Sequence, residues 1–74
     1  MSPSLPVISG DEAVKILTKH GFRLVRQTGS HMIVRRDQPF SQLTVPRHKV
    51  LDRGTLRAII RQSDLSVEAF IAAL

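Results

Sequence analysis

The sequence predicts a small α+β protein in which one helix precedes three strands and two helices follow them. Three observations predict this order. Apolar residues recur at helical spacing near both ends of the chain, central segments alternate in polarity, and Gly or Pro separates the segments. Sequential strands usually pair as neighbours. We therefore expect an αβββα fold with a three-stranded antiparallel sheet, helices on one face and a short extra C-terminal helix.

The first predicted helix starts at a capping box. The Ser9 side chain can accept a hydrogen bond from the backbone of Glu12, and the Glu12 carboxylate can accept one from the backbone of Ser9. Apolar residues then recur at helical spacing, and Gly21 can terminate the helix. We expect His20, in the last turn, to complement the helix dipole instead of taking part in catalysis.

Two strands joined by a hairpin follow this helix. Residues 22–27 alternate in polarity, with Phe22 and Leu24 on one face and the arginine at position 23 on the other. The three-residue connection after them contains Gly29, which can adopt positive φ. A hairpin into a second strand at residues 31–36 is therefore predicted.

Two prolines bound the predicted third strand. Pro39 breaks the chain before it, and the strand covers residues 42–45 and ends at Pro46, which cannot donate a hydrogen bond to a sheet. Asp52 can then cap the second helix, and Ser66 can cap a short third one. The apolar stripes of these helices are Leu56, Ile59 and Ile60, and then Val67, Phe70, Ile71 and Leu74.

The size of the chain limits its organisation. Its 74 residues suffice for one hydrophobic core, so we expect a single domain over residues 1–74, with residues 1–7 as a flexible leader. The sequence has no apolar run long enough to span a membrane and no signal peptide, which favours a cytoplasmic protein. It contains no cysteine, which excludes disulfides, thiol catalysis and thiolate metal sites.

Positive charge is concentrated in the middle of the chain. The net charge is +5, but residues 13–61 hold all eleven Lys and Arg against two acids, Asp37 and Asp52, which is +9 for that segment. Such an excess indicates a polyanionic partner, either a nucleic acid or an acidic protein. The alternative is a surface whose charge only keeps the protein soluble. A membrane surface is not favoured, because no basic amphipathic helix carries aromatic anchors.

One histidine stands out by its position. Met32 and Val34 form the apolar face of the second strand and should point inward, which leaves His31 in solvent on the same face as Arg35. An imidazole with a pKa near ~6.5 can exchange protons at neutral pH, and guanidinium groups can hold a phosphate. These are the groups that a metal-independent ribonuclease needs. An ordinary surface histidine at a hairpin end is the alternative.

The loop after the third strand is the most basic part of the chain, because Arg47, His48 and Lys49 follow one another. We expect His48 to contact phosphate or to be structural, and a second acid or base role stays open. Metal binding is not favoured, since the three histidines lie 11 and 17 residues apart and no HExxH pair exists. We expect no cofactor.

Three segments together resemble the HicA toxin family. They are GFRLVRQTGSH at residues 21–31, LTVPRH at residues 43–48 and GTLRAIIRQ at residues 54–62, and the resemblance runs from about Ile8 to Leu74. It implies a fold similar to double-stranded-RNA-binding domains. It also implies an mRNA interferase, a toxin that cleaves mRNA and is held inactive by a HicB-like antitoxin.

The family's catalytic histidine lies in a Gly-Ser-His motif, so the resemblance assigns that role to His31 and the turn glycine to Gly29. The sequence departs from the family at the start of the second helix. Many members have a Lys-Pro-Gly-Thr-like segment there, whereas this chain has Asp52, Arg53, Gly54 and Thr55. We expect this added acid to alter contacts with the RNA.

These observations lead to one main hypothesis. The chain is expected to be a monomeric, metal-independent endoribonuclease with His31 as catalytic acid or base, and with Gly29 and Ser30 presenting the imidazole. The predicted RNA contacts are Arg35, Arg36, Arg47, His48 and Lys49. Two alternatives remain: a non-catalytic RNA-binding module, and a protein-interaction domain that uses the same basic face.

Overall fold

The computed structural model describes residues 4–74 and confirms the predicted fold class. Its elements, in chain order, are helix α1 (Gly10–Lys19), strands β1 (Arg23–Gln27), β2 (His31–Asp37) and β3 (Phe40–Pro46), and helices α2 (Arg53–Gln62) and α3 (Val67–Ala72). The strands form one antiparallel sheet in the order β1-β2-β3. Both β2 and β3 are longer than predicted, because they pair up to Asp37 and Phe40.

The predicted caps form at all three helices. Ser9 and Glu12 make the full capping box at α1, with distances of 3.1 and 2.9 Å between the bonded atoms. Asp52 caps α2 through the backbone N–H of Thr55, and Ser66 caps α3. The cap interactions satisfy amides that have no partner within the helix, and they fix where each helix starts.

The sheet has an inner face that the helices cover and an outer face that they leave open. The inner face carries buried residues of β2 and β3, which pack against apolar residues of all three helices. The core residues are Met32, Val34, Leu43 and Val45 from the sheet, and Ala13, Ile16, Leu17, Leu56, Ile59, Ile60 and Phe70 from the helices. His31 and Arg35 alternate with Met32 and Val34, so they lie on the outer face.

Strand β1 contains an irregularity that the alternation of its residues did not predict. Leu24 is opposite Val34, whereas Arg26 is opposite Ile33, so Val25 is an extra residue in the ladder. After the bulge, the two faces of the strand are exchanged. Arg26 therefore lies on the outer face, whereas strict alternation would place Gln27 there. Leu24 lies on the inner face as predicted, but it is 44% exposed because β1 is an edge strand.

Gly21 ends α1 as predicted, whereas Gly29 in the hairpin differs from its prediction. Gly21, after α1, is the glycine with positive φ, at 92°, whereas Gly29 in the hairpin does not adopt positive φ. Gly10 begins α1, and its backbone N–H donates to the carbonyl of His48 at 2.9 Å. A Cβ on Gly10 would overlap the carbonyl oxygen of Pro46. Close backbone contact thus joins the start of α1 to the end of β3.

The part of the leader that the structure describes is only partly exposed. Leu5 packs against the core, and the next residue after the leader, Ile8, accepts a hydrogen bond at its carbonyl from the backbone of Leu51 at 2.8 Å. The first three residues of the predicted leader lie outside the described residues. No helix within residues 4–74 is long and apolar enough to cross a lipid bilayer.

Candidate active site

His31 is exposed at the point where the β1–β2 hairpin enters β2. Its backbone N–H donates to Thr28 Oγ1 at 3.1 Å, and its carbonyl accepts from the backbone N–H of Thr28 at 2.9 Å. On its other side it is opposite Pro46 of β3. The backbone of His31 is therefore held from both sides, while its imidazole remains in solvent.

The Ser30 hydroxyl orients the imidazole ring. Ser30 Oγ lies 3.0 Å from His31 Nδ1, which is hydrogen-bond distance for either tautomer. Ser30 belongs to the turn and not to the strand, so its side chain can reach the ring of the next residue. The contact occupies Nδ1, and it leaves Nε2 as the nitrogen that can exchange a proton with a bound molecule.

The basic loop lies beside this hairpin. The backbone N–H of Arg47 donates to the carbonyl of Ser30 at 2.8 Å, which extends the β2–β3 pairing by one bond. The Arg47 side chain is exposed, and its Nε lies 3.3 Å from Asp11 Oδ1 at the start of α1. Such an exposed ion pair is weak, so a phosphate can compete with the carboxylate for this guanidinium.

His48 and Lys49 extend the positive charge beyond Arg47, and both side chains are exposed. Asp52 lies close enough to His48 for the two to interact electrostatically. Hydrogen bonds from the backbone N–H and the hydroxyl of Thr55 lower the pKa of Asp52, and the charge of His48 lowers that pKa slightly further. Asp52 is thus held ionised by its capping role and reduces the positive charge at this edge of the loop.

Arg26 is the site residue that sequence reasoning missed. The bulge at Val25 places it on the outer face opposite Ile33, one diagonal step from His31, which corresponds to about 7–8 Å between Cα atoms. Its side chain is exposed, and within residues 4–74 it takes part in no ion pair or hydrogen bond. No signal in the sequence marks the bulge, because Leu-Val-Arg-Gln fits regular alternation equally well.

Arg35 shares the outer face with His31 but lies four residues further along β2, which corresponds to about 13 Å. Its Nε is 3.5 Å from Asp37 Oδ1, so the two side chains form an ion pair, but Nε makes no hydrogen bond. Arg23 is opposite Arg35 and donates to Asp37 Oδ2 at 2.7 Å. This hydrogen bond from Arg23 lowers the pKa of Asp37, and Arg35 adds to the effect.

Arg36 lies on the inner side of the sheet and not with His31. Its side chain is only 12% exposed, and its guanidinium stacks on Phe22 at 4.7 Å from the ring centroid. It donates to the carbonyls of Pro39 at 2.9 Å and Ser63 at 3.0 Å, and to Asp64 Oδ2 at 3.2 Å. These contacts give Arg36 a structural role in joining β2 to the turn after α2, and they place it apart from the other residues that are predicted to bind RNA.

The family model for the HicA toxin of bacterial toxin-antitoxin systems matches residues 10–65. This is well over half of the chain, and it runs from the first residue of α1 to beyond the end of α2. The chain belongs to the HicA toxin family. No curated protein and no solved structure matches it. The family membership places this HicA-family protein among the toxins of toxin-antitoxin systems.

The match covers every candidate site residue of this HicA-family protein, and it ends before α3. The structure brings His31, Ser30, Arg47 and Arg26 to one end of the sheet, and the family match includes that whole end. In the part of the chain that the structure describes, no three His, Asp or Glu side chains are grouped so that they could hold a metal ion.

Proposed function

We propose that this HicA-family toxin is a metal-independent endoribonuclease that cleaves mRNA, with His31 as the catalytic acid or base. The observation that supports the proposal best is the exposed imidazole, oriented by Ser30 at 3.0 Å and set beside cationic side chains. An exposed general base needs no buried pocket when its substrate is a flexible polyanion that can lie across an open face.

The proposed reaction uses the ribose of the substrate as its nucleophile. His31 Nε2 takes the proton of the ribose 2′-hydroxyl, and O2′ attacks the adjacent phosphorus. The bond from phosphorus to the 5′-oxygen breaks, which gives a 2′,3′-cyclic phosphate and a 5′-hydroxyl end. The leaving oxygen receives a proton from the protonated His31 or from water. Ser30 keeps the ring in one orientation throughout.

Cationic side chains around His31 would hold the substrate and neutralise the developing charge. We assign the nearest phosphate contacts to Arg26 and Arg47, and further contacts to His48 and Lys49. Arg35 would make a more distant contact, because it lies four residues from His31 along β2, which corresponds to about 13 Å. Gly29 would support the site only indirectly, as part of the turn before Ser30, since a Cβ at this position would lie in open space and contact nothing.

We further propose that a HicB-like antitoxin inhibits the enzyme by covering His31. The half-buried Ile33 and the exposed Thr44 opposite it provide an uncharged centre on the outer face, with Arg26 beside them. An acidic partner that covers this area would exclude RNA and compensate the positive charge. Mixing toxin and antitoxin should abolish cleavage, and Arg26→Glu should weaken the complex.

The cleavage assay uses purified protein and RNA in excess EDTA. Wild type should cleave and leave 2′,3′-cyclic phosphate ends, whereas His31→Ala and His31→Gln should lose at least about 100-fold in rate. Both variants should keep the unfolding temperature and the RNA affinity of wild type, because His31 makes no core contact. His48→Ala is the matched control, for which we expect weaker substrate binding and a nearly unchanged maximal rate.

The proposal would be overturned by any of four results. Equal cleavage by wild type and both His31 variants would remove the catalytic assignment. Loss of wild-type activity in EDTA would remove metal independence. Tight, salt-sensitive RNA binding without any product would favour a non-catalytic RNA-binding module, and binding of an acidic protein without RNA binding would favour an interaction domain.

A further inference from the structure

Helix α2 carries a stripe of three arginines that the proposed active site does not use. Arg53, Arg57 and Arg61 are spaced four residues apart, so they lie on one side of the helix, flanking the buried stripe of Leu56 and Ile60. All three side chains are exposed. At 1.5 Å per residue the stripe is about 12 Å long.

None of these arginines is neutralised in the part of the chain that the structure describes. The ion pairs there are formed by other arginines, namely Arg23, Arg35, Arg36 and Arg47. The arginine side chains of the α2 stripe also donate no hydrogen bond within this part of the chain. Like charges at four-residue spacing destabilise a helix. The repulsion within the stripe is therefore unrelieved until an anion binds.

The stripe starts at the active-site end of the molecule. The loop from Arg47 to Asp52 leads directly from the end of β3, beside Ser30, into the first turn of α2. The helix then runs back along the sheet, since the carbonyl of Gln62 near its end accepts from Ser41 Oγ at 2.6 Å. Positive charge thus continues from Arg47, through His48 and Lys49, to the stripe.

We propose that the arginine stripe of α2 binds the sugar-phosphate backbone of the same RNA that His31 cleaves, several nucleotides away from the cleavage site. This inference rests on the proposed ribonuclease function. A stacked strand advances about 3.4 Å per nucleotide, so the stripe matches three to four consecutive phosphates. Guanidinium groups on one side of a rigid helix suit such contacts, because they bind phosphate oxygens in pairs.

The consequence is a substrate-length requirement. Short RNA can fill only the His31 end, whereas longer RNA also reaches the stripe and should bind more tightly. Because the stripe contacts backbone and not bases, it should increase affinity for every sequence. The chemical step should not change, since the arginines of the stripe would lie away from the reacting phosphate.

The experiment measures binding of 2′-O-methyl RNA, which lacks the attacking hydroxyl and is not cleaved. We compare oligomers of about 4 and about 16 nucleotides over a range of salt concentrations. Arg57→Gln should weaken binding of the long oligomer about fivefold. It should also lower the slope of log affinity against log salt concentration for this oligomer by about 0.7. The short oligomer should bind Arg57→Gln and wild type with equal affinity. The triple variant Arg53→Gln, Arg57→Gln, Arg61→Gln should remove the dependence on length.

Lys15→Gln is the control, because it removes one exposed positive charge from α1 and leaves the stripe intact. An equal loss of affinity in Lys15→Gln, or unchanged binding of the long oligomer to the triple variant, would overturn the inference. So would a triple variant that binds RNA normally but fails to bind the antitoxin, since the stripe would then be a protein surface. Thermal unfolding of each variant verifies that it is folded.

A parallel cleavage assay separates this inference from the proposed function. If wild type cuts RNA but the stripe variants bind the long oligomer normally, only the inference fails. If the stripe variants lose affinity for the long oligomer but wild type cuts nothing, the catalytic proposal fails and the stripe remains an RNA-binding surface.

Discussion

The two ends of the outer sheet face use the same residue types in opposite ways. At the His31 end, Arg26 makes no ion pair within residues 4–74, and Arg47 has only an exposed pair with Asp11. At the Asp37 end, Arg23 and Arg35 both contact Asp37. The number of arginines is therefore a poor guide to a binding surface, and what each guanidinium already contacts is a better one.

The comparison also separates the charged side chains that we propose bind RNA from those that contact other parts of the fold. Arg36, next to Arg35 in sequence, directs all its donors inward, where it joins β2 to the turn after α2. At the His31 end, the side chain of Arg26 makes no such contact within residues 4–74. Variants at the two ends should therefore differ in kind: loss of stability at one, loss of RNA binding at the other.

The largest effect is expected for Arg36→Gln. The substitution removes hydrogen bonds to Ser63 and Pro39 and the stacking on Phe22, which together should cost about 2–3 kcal/mol of unfolding free energy. Urea unfolding of the variant and of wild type measures this loss of unfolding free energy. Arg26→Gln, as the matched control, should change stability by less than about 0.5 kcal/mol. A stability of Arg36→Gln equal to wild type would show that these contacts are not formed in solution.

The next effect concerns RNA cleavage. Arg26→Gln should lower the ratio kcat/KM about tenfold, because one charge-assisted phosphate contact is lost, whereas Arg35→Gln should lower it by about threefold at most. Steady-state cleavage of one RNA by both variants measures the difference. The reverse order would show that RNA contacts the Asp37 end and would contradict the assignment of Arg26.

A smaller effect concerns pH and Asp37. The hydrogen bond from Arg23 lowers the pKa of Asp37 below its ordinary 3.8, so the ionised carboxylate stabilises the fold above that pH. The stabilisation is lost as the pH falls through the lowered pKa. Asp37→Asn should thus unfold at a lower temperature than wild type at a pH well above 3.8, and the gap should narrow as the pH falls below 3.8 through the lowered pKa. A gap that does not change with pH would contradict this account.

The smallest effect is expected for Gly29→Ala. Gly29 does not adopt positive φ, and a Cβ there meets no atom within 4 Å. Stability should stay within about 0.5 kcal/mol of wild type and cleavage within about twofold. Gly21→Ala is the contrast, because φ is 92° at Gly21 and the substitution is strained. Thermal unfolding compares the two, and equal destabilisation would be inconsistent with the hairpin geometry.

The sequence predicted most of the fold because its signals are local. Capping residues, apolar spacing and the alternation of Met32 and Val34 each depend on near neighbours, and the structure agrees with them. The candidate site was predicted only in part. A bulge at Val25 decides the face of Arg26, and contacts with residues 27 and 28 positions away draw Arg36 inward. Alternation along β1 does not contain the bulge. Alternation along β2 does place Arg36 on the face of Met32 and Val34, but it does not contain the distant partners of its guanidinium.

The most direct test of the central claim, that RNA binds at the His31 end, is an NMR titration of wild type with uncleavable 2′-O-methyl RNA. The amide signals of Ser30, His31 and Arg47, and the side-chain signals of Arg26, should shift with RNA concentration, and those of Arg23 and Asp37 should stay nearly unchanged. Shifts confined to the Asp37 end would contradict the account.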